Sequence, residues 1–366
     1  MPISNGYFSN IENALLTVGC FHFQLRTWMV PNLRGKLVMG EKSKVEALRE
    51  VATQLGMKDW NFRVDPCVNE SSWLTPKSDC SYPCTNSLIC NCSYPGGVCH
   101  VVQLFPKGQD LDGVLPPSLV KLPYLKMIDF TRNYLSGTIP REWASTKLEY
   151  LFLKGQDLDG VLPPSLVKLP YLKMIDFTRN YLSGTIPREW ASTKLEYLSV
   201  TVNNLSGPIP TYLGNITTLI YLSLESNLFS GSVPPELGNL VNLENLTLSA
   251  NNLTGELPIN LTNLSKLMEL RISSNNFTGK IPNFFQSWKH LQKLEIQASG
   301  LEGPIPSSIS VLSSLTELRI SDLLGEGSKF PTLSSITSMK RLMLRSCNLY
   351  GPIPEFISKM TALQTL

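Results

Sequence analysis

From residue 125 to the end of the chain, apolar side chains return on a nearly constant step. Leucine-like anchors stand at Leu125, Leu148, Leu172, Leu195, Leu219, Leu243, Leu267, Leu291, Leu315, Met339 and Leu363, with steps of 23, 24, 23 and then 24 seven times. One unit reads Leu243-Glu-Asn-Leu246-Thr-Leu248-Ser-Ala-Asn251-Asn-Leu253-Thr-Gly255-Glu-Leu257-Pro258. Alternate residues of a strand share a face, so Leu246 and Leu248 point inward and Thr247 is expected on the exposed side. Asn251 then turns inward, where its amide can satisfy backbone groups of adjacent turns that are costly to leave unpaired. The same asparagine recurs as Asn133, Asn180, Asn203, Asn227 and Asn275. Gly255 permits a backbone conformation closed to other residues, and Pro258 limits further pairing. The pattern predicts short strands stacked one per unit, each burying its apolar edge only against its neighbours.

An L-x-x-L-x-L-x-x-N order at a period of about 20–29 residues resembles the leucine-rich repeat, and so implies an α/β solenoid. A Gly-x-Ile/Leu-Pro segment recurs at Gly137, Gly184, Gly207, Gly255, Gly279, Gly303 and Gly351, with Gly231-Ser-Val-Pro as a variant. That segment resembles plant receptor-like repeats, a resemblance that implies a second short sheet and a right-handed superhelix. Residues 102–366 then hold about ten complete units and the start of another. Two departures stand out. Residues 107–151 and 154–198 are identical over 45 positions, an offset of 47 that equals two repeats and preserves the register. Such identity at exposed positions implies a recent duplication or an assembly error. Residues 321–331 replace the Gly-x-Ile-Pro segment at constant repeat length. A phosphate loop would need a strand–helix context that is missing there, so an altered surface loop is expected.

A first repeat exposes its core unless capped. Residues 43–56 predict a helix with Val45, Leu48, Val51, Ala52 and Leu55 on one face, Ser43 as N-cap and Gly56 as stop. Residues 43–101 are read as an N-terminal cap stapled by Cys67, Cys80, Cys84, Cys90, Cys92 and Cys99, with the pairing left open. Zinc held by Cys90, Cys92, Cys99 and His100 is disfavoured, because Cys-x-Cys is not zinc-finger spacing and Asn91 is a glycosylation sequon. Cys347 occupies the asparagine position and reads as a buried free thiol. Residues 1–42 are an unmatched leader; residues 14–23 are mildly apolar but contain Gly19, Cys20 and His22 and make a poor signal peptide. At the other end Leu363-Gln-Thr-Leu366 enters a further strand without closing cysteines. That predicts a fragment or an early stop, with an open, aggregation-prone edge.

Composition narrows the function classes. A net charge of +3, with both signs mixed along the chain, argues against nucleic acid and against an acidic tail. Asn-x-Ser/Thr sequons at Asn69, Asn91, Asn204, Asn215, Asn245, Asn252, Asn260, Asn263 and Asn276, beside the cysteine cluster, point to the secretory pathway. No stretch is long and apolar enough to span a membrane as a helix. The histidines are His22, His100 and His290, none with a nucleophile in its motif, and the segments of a kinase are missing. The chain is therefore read as non-catalytic, with no cofactor and no metal.

From about Val45 onward the chain resembles the ectodomain of plant leucine-rich-repeat receptor-like kinases, in the subgroup that adds a malectin-like domain before the membrane. The resemblance rests on Val45-Glu-Ala-Leu48, Asp59-Trp-Asn-Phe62, Val64-Asp-Pro-Cys67, Cys90-Asn-Cys-Ser93 and Cys99-His-Val-Val102. It continues through Leu122-Pro-Tyr-Leu125, Thr131-Arg-Asn-Tyr-Leu135, Gly214-Asn-Ile-Thr217, Gly279-Lys-Ile-Pro-Asn283, Leu318-Arg-Ile-Ser-Asp322 and Cys347-Asn. It implies an extracellular region that binds a peptide, protein or cell-wall glycan ligand, with a co-receptor as a second partner. A secreted binding protein resembling the polygalacturonase inhibitors, and a truncated product, are the alternatives. Binding is expected on exposed strand positions: Asp129, Arg132, Tyr150, Phe152, Asp176, Arg179, Tyr197 and Tyr221 toward the N-terminus. Toward the C-terminus they become Glu269, Arg271, Lys293, Glu295, Glu317, Arg319, Arg341 and Arg345. The bland alternative is a solvated face whose charges pair across strands. Asn245 is expected to project from this face, where a glycan would block its middle.

Overall fold

One strand per repeat, laid side by side, builds a long sheet whose strands lie between Thr75 and Arg345. The computed structural model describes residues 39–67, 73, 75–77 and 84–366. The sheet begins with β1 (Thr75–Lys77), β2 (Cys84–Asn91) and β3 (His100–Pro106), the first two pairings antiparallel. It continues, all parallel, through β4 (Met127–Asp129), β5 (Tyr150–Phe152), β6 (Met174–Asp176), β7 (Tyr197–Ser199) and β8 (Tyr221–Ser223). Then come β9 (Asn245–Thr247), β10 (Glu269–Arg271), β11 (Lys293–Gln297), β12 (Glu317–Ser321) and β13 (Arg341–Arg345). Shorter parallel strands, such as Asn204–Pro208, Leu228–Gly231 and Asn252–Gly255, form the second sheet that the resemblance implies. Most units return through a short 3-10 turn such as Pro235–Asn239, often opened by the proline of Gly-x-Ile-Pro, whose fixed φ suits that place.

The anchors and the inward strand residues are all but inaccessible, as Leu243, Leu246 and Leu248 show. Truncating one of them to alanine would cost about 2–5 kcal/mol. The asparagine ladder binds the turns together. Asn251 donates to Leu224 O at 2.9 Å and Leu248 O at 3.0 Å and accepts from Phe229 N at 3.1 Å, and Asn133, Asn180, Asn203, Asn227 and Asn275 repeat the arrangement. Gln156 fills the rung between Asn133 and Asn180, donating to Phe130 O and accepting from Leu135 N at 3.2 Å. A glutamine there is easily passed over, because the period alone marks it. Just before each rung the backbone turns left-handed, as at Arg132, Arg179, Val202 and Ser226, and at Gly155 before Gln156.

The helix α1 spans Met39–Leu55, so Ser43 lies inside its first turns and is not its N-cap. The apolar stripe, not the capping residue, marked this element. Its stop is as expected: Gly56 is left-handed at φ 75°, Gly56 N donates to Thr53 O and Met57 N to Ala52 O. Ala47, Leu48, Val51, Ala52 and Leu55 are buried. Near the end of α1, Gln54 accepts the Val114 amide at 2.8 Å and binds Ser118 Oγ at 2.6 Å. Cys67–Cys90 and Cys92–Cys99 are disulfides. Cys80, the Cys84 side chain, Asn69 and residues 1–38 lie outside the described residues, whereas residues 39–42, expected to belong to the leader, are the start of α1.

Candidate functional site

Two rows of side chains cross the first half of the long sheet. In β4 to β8 the first residue of each strand stands in register with the next, giving Met127, Tyr150, Met174, Tyr197 and Tyr221, all half-buried. Strands about 4.8 Å apart make this row roughly 19 Å long. Tyr197 and Tyr221 stack with centroids 4.2 Å apart and planes 8° from parallel. Burial raises both phenols, Tyr221 to about 12, so both stay neutral through the physiological range. The second row holds Asp129, Phe152 and Asp176. Gln103 and Leu104 of β3 pair with Met127 and Ile128, which puts Phe105 at the head of that row. Asp129 accepts the Thr131 amide at 2.9 Å and Asp176 the Thr178 amide at 3.0 Å. Asp176 is 3 % exposed, and burial raises its carboxyl above the usual range.

Past Asp176 the second row becomes Ser199 and Ser223, on the strands of Tyr197 and Tyr221, and then Thr247, all buried and joined through hydroxyl hydrogen bonds that include Thr178 and Thr201. Thr247 is thus covered, contrary to the expectation of an exposed position. Side chains on strands this close shade one another, and a short hydroxyl between longer neighbours loses its solvent.

The second half of the sheet is an ionic lattice. Glu269, Glu295 and Glu317, at 8, 9 and 7 % exposure, are buried and not open positions. Arg271 pairs with Glu269 and with Glu295 at 3.9 Å, and Lys293 with Glu269 at 3.5 Å. Arg319 pairs with Glu317 and with Glu295 at 3.8 Å, and Arg341 with Glu317 at 3.4 Å. Burial raises the Glu225 and Glu295 carboxyls, an effect that Arg271 opposes. Charges here answer one another across strands.

The other candidate residues are dispersed. Arg132 and Arg179 sit on the left-handed turns after β4 and β6, exposed and beside the sheet, and Arg345 is exposed at the end of β13. Asn91, Asn204, Asn215, Asn252, Asn260, Asn263 and Asn276 are exposed, whereas Asn245 is half-buried and donates to Glu269 at 3.1 Å. Cys347 takes the asparagine rung: its thiol donates to Ile320 O at 3.3 Å, and burial raises its pKa to about 11. His290 lines a shallow depression of about 270 Å³ on the flank with Glu244, Lys266, Met268, Gln292 and Ser314. No hydrogen bond joins it to Ser314 or Glu244 among the described residues. Met127, Met174 and Phe105 were missed by sequence reading. Their position before or after an inward leucine is the signal that could have found them.

Residues 194–326 match the family model of the leucine-rich repeat region. A probable leucine-rich repeat receptor-like serine/threonine-protein kinase of Arabidopsis thaliana is 44 % identical over 110 residues, which is 29 % of this chain and 10 % of the relative. The chain therefore corresponds to about a tenth of that relative's length. Among solved structures, a TDR receptor is 29 % identical with a TM-score of 0.70, over 73 % of this chain and 46 % of that one. The plant peptide hormone receptor RGFR1 in complex with RGF2 is 25 % identical with a TM-score of 0.55, over 69 % of this chain and 48 % of that one. No helix among the described residues is long and apolar enough to cross a membrane. By its repeat geometry and its ladder the chain has the leucine-rich-repeat fold, and over part of its length it is similar to plant leucine-rich-repeat receptor-like serine/threonine kinases.

Proposed function

We propose that this chain is the extracellular ligand-binding region of a receptor-like protein, taking a peptide or protein ligand on the first half of its long sheet, with a co-receptor as a second partner. One observation carries the reading: the row Met127, Tyr150, Met174, Tyr197 and Tyr221 is half-open and apolar, while the second half is a closed lattice of ion pairs. Covering aromatic rings is favourable at about 25 cal/mol per Å² of apolar surface. Covering the lattice would dehydrate charges already satisfied by one another. Likeness to a peptide hormone receptor supports a peptide ligand.

The test is selection of phage-displayed random 12-residue peptides on the purified chain. Selected peptides are expected to lose at least about tenfold in affinity on a Tyr150→Ala/Tyr197→Ala variant and little on Lys293→Ala/Arg341→Ala. The reverse order, or no selectable peptide, overturns the proposal.

A further inference from the structure

Where the cap meets the first repeat, three rings gather on one flank of the long sheet. His100 and Tyr124, each three residues before the paired Gln103 and Met127, stack with centroids 3.8 Å apart and planes 24° from parallel. Tyr94 packs edge-to-face against both, at 4.9 Å and 4.6 Å, and Lys147 lies over the Tyr124 ring at 5.6 Å. All three rings are half-buried, so part of each stays open. Burial, and after it the charge of Lys44, lowers the pKa of His100 and keeps its ring neutral at neutral pH. Strand β3 lies between β2 and β4, so Tyr124 covers His100 from one side and Asn91, its cross-strand partner in β2, stands on the other. Directly opposed residues of an antiparallel pair have Cβ atoms about 4.5–5.5 Å apart on one face. The Cys92–Cys99 disulfide closes the loop that joins them. Asn91 is exposed: its Oδ1 accepts the Ser93 amide at 2.8 Å, and its Nδ2 has no hydrogen-bond partner among the described residues.

We infer that Asn91 carries an N-linked glycan whose first sugar packs on the His100, Tyr94 and Tyr124 rings and seals the joint between cap and first repeat. This rests on the extracellular reading above and makes a sugar part of the cap's structure. Asn91-Cys-Ser93 is a complete sequon, and the free, exposed Nδ2 is the atom that takes the sugar. In the attachment Nδ2 bonds to C1 of an oligosaccharide carried on a polyprenyl pyrophosphate. The C1–O bond breaks, the pyrophosphate leaves with its electron pair, and the amide gives up one proton. An N-acetylglucosamine ring offers a face of C–H bonds and an acetamido methyl, while its hydroxyls reach into water. Laying that face on half-open aromatic surface is favourable, and the covalent tether removes most of the entropy lost in placing it. Asn91 itself is short and polar and covers little of the imidazole. The glycan supplies the apolar neighbour that Tyr124 supplies on the other side.

The test uses the full chain made through the secretory pathway of cells limited to high-mannose glycans, with intact glycopeptide mass spectrometry and thermal melts. Asn91 is expected to be occupied. Ser93→Ala removes the glycan and keeps Asn91, and is expected to lower the melting midpoint by about 2–4 °C. The same change in a Tyr94→Ala/His100→Ala chain is expected to lower it by less than about 1 °C. Trimming both proteins to single N-acetylglucosamines with an endoglycosidase is expected to preserve the difference between the wild type and Ser93→Ala, because the first ring makes the contact. This second comparison needs no change to the rings. Glycans at other sequons with a bare Asn91 overturn the inference and leave the extracellular reading standing. So do an unchanged midpoint in Ser93→Ala, equal losses in both backgrounds, or a difference that disappears on trimming. A chain bare at every sequon overturns both.

Discussion

At the scale of single residues, the ladder makes the sharpest claim, because the repeated segment supplies an internal control. Gln109 and Gln156 are the same residue in identical surroundings of sequence. Gln156 is 4 % exposed, and its amide joins Phe130 O to Leu135 N. Gln109 is half-buried, and its side chain reaches back to Lys107 O at 3.0 Å. Removing the amide of Gln156 leaves buried backbone groups without partners, a loss of roughly 2–3 kcal/mol. Gln156→Ala is therefore expected to lower the denaturation midpoint clearly, and Gln109→Ala to shift stability by no more than about 0.5 kcal/mol. Equal shifts in urea melts would show that the rung is not what holds these turns.

Single strands behave as borders as well as building blocks. Strand β9 is where the aromatic row ends and the ionic lattice begins: Asn245 stands in register between Tyr221 and Glu269. The other described sequons lie on the second sheet, on the 3-10 returns or, as Asn91, at the end of β2. A glycan on Asn245 would thus be the one attached within the parallel run of the long sheet, and it would confine a ligand to the strands before it. Intact glycopeptide mass spectrometry is expected to find Asn245 occupied; an unmodified Asn245 removes this border. At the cap, α1 shows how one element specialises a repeat. A Cβ on Gly113 would meet Gln54 O at 2.1 Å, whereas its counterpart Gly160 is free to turn left-handed at φ 77°.

For the whole molecule, a solenoid's contacts are sideways and between neighbours, so repeats can be removed in register without disturbing distant ones. Deleting residues 107–153 joins Pro106 to Lys154 and restores the same local sequence for 45 residues. Gly160 would then meet α1 in place of Gly113. The shortened chain is expected to melt within about 5 °C of the parent, the two measured side by side. Aggregation beyond the parent's, or a midpoint lowered by much more than that, would mean that the second copy fills a place no other repeat can take.

How much of this was legible in the sequence follows from range. The period placed the strands, the buried leucines, the asparagine rungs and the thiol at Cys347, because each depends on a position within one unit and every unit repeats it. The helix was found by its apolar stripe, though its start was not, since Ser43 as a capping residue is a local preference that packing overrode. What only the tertiary structure decided lies between units. Identical copies diverge at Gln109 and Gln156, at Gly113 and Gly160, and at Asp129 and Asp176, according to what stacks beside them. The same sideways contacts bury Thr247, Glu269, Glu295 and Glu317 and line Phe105 up with Asp129, Phe152 and Asp176. Those neighbours are some 23 or 24 residues apart along the chain but one strand spacing apart in space, a proximity that no local pattern of polar and apolar residues encodes.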